Sequence, residues 1–443
     1  MGPAHDRTMA ELISPRPPVA DARLPWDEEM ADPIETIAHA RAQHGDTFVI
    51  EGERSPFLFL FSPVGVQSFY AVAEADASKG IADWQMLRRK LPPELFRDRR
   101  TFPHDLFARD DVVQYLGVVR SAIDVACDEL GGSGTFEVFD FTRRLGHRIG
   151  LSTWAGPCGT SIEFDRLIVA LDNLDGAAAF VDPGAMAAVA ATDYATERAA
   201  LAEAESIIGR AVVRRDADAN PPVDHFQRIV DTWSDAEPDA RHQGIARDVI
   251  LVHLGSMSNL FSALGWLLVD VVTRPALAAA IREGDHALAE RCALESTRIA
   301  QRSIMLRAVL RPIDVDDGES TRHVEPGVTL ATLLPLTNLA TEDLRAYDPE
   351  RWNRRRIRDG RGGGDHRELV TAFGHGAHTC PAQPFSLGVM TAVLEAMLDR
   401  YDLDPQFTDA SPRAAQIGGV ARAARACPLS FYPRAKSTGR RLK

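Results

Sequence analysis

The sequence predicts a mainly α-helical protein with a minor β component. Residues 110–213 carry helical patterns with long alanine-rich stretches, and residues 275–312 contain a further pair of helices. Strand-like runs are short and lie towards the two ends of the chain. Strands and helices do not alternate in the way that builds a parallel sheet. There is also no internal repeat and no clear linker, which favours a single domain.

The smaller elements follow in order along the chain. Two β-rich runs in residues 47–63, with a charged turn between them, predict a hairpin. The prolines of residues 220–225 end the first helical region, and strand-like runs follow around residues 328–336. A helix is predicted from about residue 384 to 401, and residues 420–434 predict a small hairpin.

The composition argues against several classes of protein. Of the 443 residues, 45% are hydrophobic, which is normal for a globular protein with a core. The net charge of −13 argues against a nucleic-acid-binding protein, which needs a basic surface. Five widely spaced cysteines fit a reducing cytoplasm better than a disulfide framework. Residues 1–20 predict an irregular lead-in without a signal peptide, and residues 430–443 predict a disordered tail.

The most apolar segment covers residues 248–273. Its uncharged run is long enough to span a membrane. However, His253, Ser256, Ser258 and Asn259 lie near its middle, and no aromatic or basic belt marks its end. We therefore interpret it as a buried central helix of a cytoplasmic protein that does not enter a membrane.

Residues 371–390, TAFGHGAHTCPAQPFSLGVM, place two histidines and a cysteine in one glycine-containing loop. Alone, "GHGAH" is read as a turn with incidental histidines. A zinc site needs three or four nitrogen or sulfur ligands, and His375, His378 and Cys380 do not have a standard zinc spacing. A nucleophilic cysteine needs a histidine base whose position the sequence does not fix. The third interpretation is a cysteine that makes one axial bond to iron.

The order of these residues resembles the haem-binding loop of the cytochrome P450 family, Phe-x-x-Gly-x-(Arg/His)-x-Cys-x-(Gly/Ala). The matching residues are Phe373, Gly376, His378, Cys380 and Ala382. The resemblance implies that Cys380 is the axial thiolate ligand of a haem b. It also implies that His378 contacts a propionate, that Phe373 shields the sulfur, and that Ala382 lets the following helix pack beneath the ring.

The remaining loop residues fit this interpretation with one departure. Gly374 and Gly376 allow tight turns and a close approach of the backbone to the ring. The departure is Pro381, because proline has no backbone N–H that could donate a hydrogen bond to the sulfur.

Other motifs of that family occur in the expected order. Glu295 and Arg298 match its Glu-x-x-Arg ion pair, and their spacing places both side chains on one helical face. Arg351, in the stretch YDPERW, is the implied third member of this network. Arg307 matches a usual propionate ligand, and His104 is a further candidate for a propionate contact.

The long apolar helix departs from the family pattern. In most members it carries an acid and an alcohol that relay protons. Here Gly255 is kept, Met257 takes the place of the acid, and Ser258 or Asn259 takes that of the threonine. The implied proton path therefore runs through Ser258, Asn259, water or the substrate. The alternative is that Ser258 and Asn259 only satisfy a kink in the helix.

The substrate pocket is predicted less sharply than the cofactor loop. Its candidate residues are His253, Ser256 and Met257 on the long helix, and Trp84 near the N-terminal hairpin. For His253 the alternative is a position in the core, and for Trp84 it is simple packing.

Taken over residues 1–443, the resemblance implies a single cytochrome P450 domain, a triangular prism of helices around a buried haem. The implied activity is monooxygenation, oxidative coupling or desaturation of a small organic substrate of secondary metabolism. Dioxygen would be reduced with electrons from a ferredoxin and its reductase, and the basic segment 351–367 is either the ferredoxin docking surface or a solvated loop. One alternative is a haem-thiolate isomerase or peroxide-using enzyme that needs no redox partner. Another is a haem protein that only binds a gas.

Overall fold

The computed structural model describes residues 12–107, 112–176, 183–353 and 370–434 of the chain. The protein has 55% of its residues in helix and 14% in strand, which confirms the prediction of a mainly α-helical protein with minor β structure. In chain order, the α-helices of the described residues are α1 (Pro33–His44), α2 (Pro63–Ala71), α3 (Lys79–Leu87), α4 (Pro103–Leu106), α5 (Val112–Leu130), α6 (Val138–Trp154), α7 (Phe164–Asp175), α8 (Pro183–Ala191), α9 (Ala195–Asp216), α10 (His225–Asp231), α11 (Pro238–Val272), α12 (Pro275–Arg282), α13 (His286–Ala300), α14 (Leu334–Asn338), α15 (Glu342–Arg345) and α16 (Gln383–Arg400).

The strands form three small sheets. They are β1 (Ile13–Ser14), β2 (Thr47–Glu51), β3 (Pro56–Leu60), β4 (Ala77–Ser78), β5 (Gly134–Glu137), β6 (Ile304–Val309), β7 (Ile313–Asp316), β8 (Thr321–Val324), β9 (Thr329–Leu333), β10 (Tyr401–Pro405) and β11 (Pro428–Pro433). The largest sheet has the order β2-β3-β9-β6-β4, and the others are β1-β8-β7 and β10-β11-β5. The predicted hairpin at 47–63 is confirmed, because β2 and β3 pair antiparallel with Thr47 opposite Leu60.

The central helix α11 runs through the middle of the core. It is longer than the predicted segment 248–273, because it begins at Pro238. Its first turns are mostly exposed and polar, so the apolar pattern did not include them. Proline is favoured at this first position because its missing N–H has no partner inside the helix anyway.

Glycines allow the neighbouring helix α6 to approach the central helix closely. A Cβ atom on Gly146 of α6 would lie 2.3 Å from the ring of Phe261. A Cβ atom on Gly265 of the central helix would lie 2.7 Å from the ring of Phe139. The two helices therefore pack with side chain against backbone, and a larger residue at either position would push them apart.

Two predictions about the ends of the chain are wrong in part. Residues 420–434 do not form a hairpin of their own, because β11 pairs with β10 on one side and with β5 on the other. Residues 430–433 of the predicted disordered tail therefore belong to a strand, and residues 435–443 lie outside the described part. Within the predicted irregular lead-in, β1 pairs with β8. Both strands find their partners far along the chain, which a local pattern does not reveal.

Among the described residues, the central helix is long and apolar enough to cross a membrane. However, 67% of that apolar stretch is buried inside the protein. This burial is what the interpretation of 248–273 as a core helix requires.

Candidate functional site

The loop before α16 is held by turns that need glycine. Gly374 and Gly376 have φ angles of 80° and 57°, in the left-handed region that other residues rarely adopt. A Cβ atom on Gly374 would also lie 2.6 Å from the carbonyl oxygen of His378. The backbone N–H of Cys380 donates to the carbonyl of Phe373 at 2.8 Å, which closes the loop. The cysteine is thereby fixed at the start of α16.

The sulfur of Cys380 lies in a mostly buried position with few polar contacts. Burial raises the pKa of the Cys380 thiol, while the backbone N–H of Ala382 and the charge of Lys79 act in the opposite direction. The N–H that Pro381 lacks is thus supplied one residue later, by Ala382. The residue as a whole is partly exposed, and it packs against the hydrophobic core, as Phe373 does.

The two histidines of the loop lie against one tyrosine. The ring of His375 is buried and meets that of Tyr70 edge-on at 5.3 Å, while the ring of His378 lies 6.3 Å from Tyr70 and is partly exposed. Burial lowers the pKa of His378, and the nearby charge of Arg307 lowers it further. No group of three histidine, cysteine or acidic side chains that would hold a metal ion occurs among the described residues. The zinc interpretation of His375, His378 and Cys380 is therefore not supported.

Arg307 does not lie as a propionate ligand would. Its side chain is fully buried, with an exposed fraction of 0%. Its Nε and one Nη donate to the carbonyl of Ala77 at 2.8 and 2.6 Å, and the other Nη donates to that of Phe69 at 2.8 Å. A guanidinium fastened to the backbone in this way stabilises the turn between α2 and α3, and the predicted propionate contact stays a prediction that requires Arg307 to change partners.

Glu295, Arg298 and Arg351 lie together as an ion-pair network. Both carboxylate oxygens of Glu295 accept hydrogen bonds at 2.8 Å from Arg298, and both side chains are fully buried. Nε of Arg351 lies 3.5 Å from Glu295, and Nε1 of Trp352 donates to the same carboxylate at 2.9 Å. Every charge in the network has a partner, which a buried ion pair requires if it is to be stable.

Asn338 connects this network to the cysteine loop, and no sequence motif marks this residue. Arg298 donates to the carbonyl of Asn338 at 2.6 Å. The side-chain amide of Asn338 accepts the N–H of Thr371 at 2.8 Å and donates to the carbonyl of Thr371 at 2.9 Å. The first residue of the loop is thus held by the buried network.

A cavity of about 430 Å³ lies on one face of the central helix. Gly255, Ser258, Asn259 and Ser262 line it, together with Leu251 one turn earlier. These positions follow the three- and four-residue spacing of a helical stripe. Although Gly255 lies in the middle of the most apolar helix, it is exposed and no atom lies within 4 Å of the position of a Cβ atom. There is therefore room for a large group beside it.

The cavity face of the central helix is bonded to two other segments. Oγ of Ser258 donates to a carboxylate oxygen of Asp175 at 3.1 Å, and Arg422 lies 3.3 Å from the same oxygen. The side-chain oxygen of Asn259 accepts the N–H of Val420 at 2.9 Å. Sequence reasoning did not find Asp175, because it is the last residue of α7. It is far from Ser258 along the chain and meets Ser258 only in the fold.

The structure does not place the other predicted pocket residues at this cavity. His253 is in the core, where His147 lies 2.8 Å from its Nε2 and Trp154 donates to its Nδ1 at 3.2 Å. Met257 is fully buried, because both residues lie on the face of the helix opposite the cavity. Trp84 is 44% exposed and stacks with Arg88. Ser256 is partly buried and is not one of the lining residues.

Lys79 at the start of α3 connects the cysteine loop to the cavity. It lines the cavity together with Asp83, with which it forms an ion pair. Its charge also acts on the pKa values of Cys380 and His378. The loop and the Lys79 end of the cavity are therefore neighbours in the fold.

Two predictions fall outside the described residues. The backbone of His104 lies in α4, but its side chain is not described, and residues 354–369 of the basic segment 351–367 are likewise outside the described part. A scan of the chain against models of known protein families gives no match, and a search of curated proteins gives none either.

Proposed function

We propose that the protein is a haem-thiolate oxidoreductase of the cytochrome P450 type. Its proposed activity is monooxygenation, oxidative coupling or desaturation of a small organic molecule of secondary metabolism in the cytoplasm. The observation that carries the proposal is the environment of Cys380. A single, partly exposed cysteine accepts the N–H of Ala382 in a glycine-turned loop, and Asn338 fastens that loop to a buried Glu–Arg network.

The residues present fit a haem b with one protein ligand. The donor set is one thiol, which suits a single axial bond better than a metal cluster. The empty space beside Gly255 suits a flat ring, because a side chain at this position would project into it. When bound, a thiolate-ligated haem supplies the iron centre that activates dioxygen.

The other loop residues prepare the site for this group. Cys380 would hold it through Sγ, and the N–H of Ala382 would stabilise the thiolate by a charge-assisted hydrogen bond. Phe373 packs against the core next to the cysteine and limits the access of water. His378, which is partly exposed beside Lys79, is the remaining candidate for a propionate contact in the described residues of the loop.

The proposed proton path uses a carboxylate that the central helix itself does not carry. Met257 carries no carboxylate, but Asp175 reaches Ser258 from α7. Asp175 would take up a proton from solvent and pass it to the Oγ of Ser258, while Ser258 would give its own hydroxyl proton to a group in the cavity. Arg422, which is paired with Asp175, keeps the carboxylate oriented. Asn259 is bonded to Val420 and would shape the cavity rather than carry a proton.

A second candidate is a haem-thiolate isomerase or a peroxide-using enzyme, which needs no ferredoxin and no reductase. The absence of a carboxylate at the four cavity-lining positions Gly255, Ser258, Asn259 and Ser262 favours it. The Asp175–Ser258 contact favours the oxidative reaction instead. The two candidates differ in whether turnover consumes electrons from a ferredoxin and reductase.

The test is the absorption spectrum of the purified protein, ferric and then reduced with dithionite under carbon monoxide. We expect a strongly red-shifted Soret band in the reduced complex, and its loss in Cys380→Ala. The matched control is Cys292→Ala, because Cys292 is fully buried in the core away from the loop, and it should retain the band. A protein that takes up no haem, or a band that survives in Cys380→Ala, would overturn the proposal.

A further inference from the structure

The cavity beside the central helix carries more positive than negative side chains. Its charged lining residues are Lys79, Lys90, Arg99, Arg422, Asp83 and Asp175. Each carboxylate is already paired with a cation, since Lys79 contacts Asp83 and Arg422 contacts Asp175. The cavity therefore has no carboxylate left for a further cation.

Of the two remaining cations, Lys90 donates to the backbone carbonyl of Asp175 at 2.8 Å. The other is Arg99, whose guanidinium lies over the ring of Phe102. It forms no ion pair with the described carboxylates, and its Nε is buried without a hydrogen-bond partner among them. Its one hydrogen bond goes from Nη2 to the carbonyl of Thr101, at a long 3.4 Å. An arginine remains charged at any physiological pH, so a half-buried guanidinium in this state gains from any anion that reaches it.

Asp248 is the carboxylate nearest to Arg99 along the central helix, but it is engaged elsewhere. It accepts hydrogen bonds from Nε1 of Trp233 at 2.8 Å and from the N–H of Thr101 at 3.0 Å. Its charge opposes the lowering of the pKa of Arg99 that burial causes, yet the two side chains do not form an ion pair. The charge of Asp248 thus favours the charged form of Arg99, but Asp248 does not neutralise Arg99 in an ion pair.

The rest of the cavity wall is largely apolar. Its apolar side chains come from several segments, and examples are Met86 of α3, Phe96, Leu251 and Leu254 of the central helix, and Met305 of β6. A ligand that fills this space must therefore be mainly hydrocarbon. An apolar wall with one unpaired guanidinium is the arrangement that recognises an amphipathic anion.

We infer that the substrate of this cavity carries a carboxylate on an apolar body, and that the guanidinium of Arg99 binds this carboxylate. The inference rests on the proposed function in taking this cavity as the substrate cavity. A carboxylate matches the two parallel N–H groups of one guanidinium, and no second free cation is needed to neutralise it.

The test compares ligands that differ only in the charged group. The probes are three acid–alcohol pairs, dodecanoate with dodecanol, 2-naphthoate with 2-naphthalenemethanol, and 1-adamantanecarboxylate with 1-adamantanemethanol. Binding to the full-length purified protein is measured by isothermal titration calorimetry, which does not depend on a haem signal. We expect at least one acid to bind more than tenfold tighter than its alcohol, and Arg99→Gln to abolish that preference.

The control variant is Arg88→Gln, which removes the same charge from an exposed arginine outside the cavity. It should keep the preference for the acid. If none of the pairs shows a preference for the acid, or if Arg99→Gln retains it, the inference is wrong. If the preference depends on Arg99 but the protein has no Soret band, the anion site stands and the haem-thiolate proposal fails.

Discussion

The two faces of the central helix both carry polar side chains, but one face lies against a cavity and the other against the core. On one face Gly255, Ser258 and Asn259 line a cavity. On the other face His253 and Met257 are buried against α6 and its neighbours. Polar side chains therefore occur on both faces, and only the packing of the helix decides which of them meet a ligand. Each prediction below exchanges or tests a property of one face against the other.

The largest effect is expected from Met257→Asp, which restores the acid of the family pattern. Met257 has an exposed fraction of 0%, so the new carboxylate would be buried without a cation to pair with. We expect the free energy of unfolding in urea to fall by about 3–5 kcal/mol. Met257→Leu serves as the control and should cost less than about 1.5 kcal/mol. A carboxylate tolerated at this position would mean that Met257 faces the cavity.

Two glycines give the next comparison. Gly150 of α6 faces the core side of the central helix, where a Cβ atom would lie 2.9 Å from both His253 and Met257. We expect Gly150→Ala to lower the free energy of unfolding by about 1–3 kcal/mol. Gly255→Ala on the cavity face should instead raise it by about 0.5–1 kcal/mol, because alanine favours a helix and meets no neighbour. If both substitutions changed the free energy of unfolding equally, the two faces of the helix would not differ in packing.

The proton path that we propose through Ser258 predicts an effect on turnover rather than on folding. Ser258→Ala removes one hydrogen bond to Asp175, at a cost of about 1 kcal/mol in stability. With ferredoxin and reductase supplied, oxygen consumption should fall roughly tenfold, which corresponds to about 1.4 kcal/mol in the barrier. Its solvent deuterium isotope effect should rise, because proton transfer becomes slower.

Asp175→Asn should reproduce both kinetic changes, since it removes the proton source while keeping a hydrogen-bond acceptor for Ser258. Ser121→Ala on the exposed surface of α5 is the control and should leave the rate unchanged. An unchanged isotope effect in both cavity variants would show that protons reach the site by another route.

The smallest effect concerns pH and the core face. Burial lowers the pKa of His253 well below its usual value, and the neighbouring His147 acts in the same direction. Below about pH 6.5, His253 therefore binds a proton in the unfolded chain but not in the folded protein. The free energy of unfolding falls as the pH falls below this value. His147 lies 2.8 Å from Nε2 of His253 and 2.8 Å from Asp172, and Trp154 donates to Nδ1 of His253 at 3.2 Å.

His253→Gln should remove this acid-dependent loss of stability, which amounts to at most about 1.4 kcal/mol per pH unit for one proton. Urea unfolding between pH 5 and pH 8 measures it as the difference between variant and wild type. His286 is an exposed control with the opposite sign, because Glu395 raises its pKa and its contribution is lost as the pH rises. A His253→Gln variant with an unchanged pH profile would mean that His253 is solvated.

The sequence by itself determined the features that depend on neighbours along the chain. The helix period, the hairpin at 47–63 and the glycine turns around Cys380 are local, and the structure has them where they were expected. The pairing of Glu295 with Arg298 is also local, since three residues of helix bring them onto one face.

Only the tertiary structure decided which side of the central helix meets the cavity. A helical pattern gives the spacing of a face but not what packs against it, so His253 and Met257 were predicted at the pocket and lie in the core. Arg307 was predicted to contact a propionate. In the structure it donates hydrogen bonds to backbone carbonyls of a segment more than two hundred residues earlier. Asp175 and Asn338 meet partners that are distant in sequence. Burial and pairing at such positions depend on the whole fold, because the free energy of a polar group is set by what surrounds it.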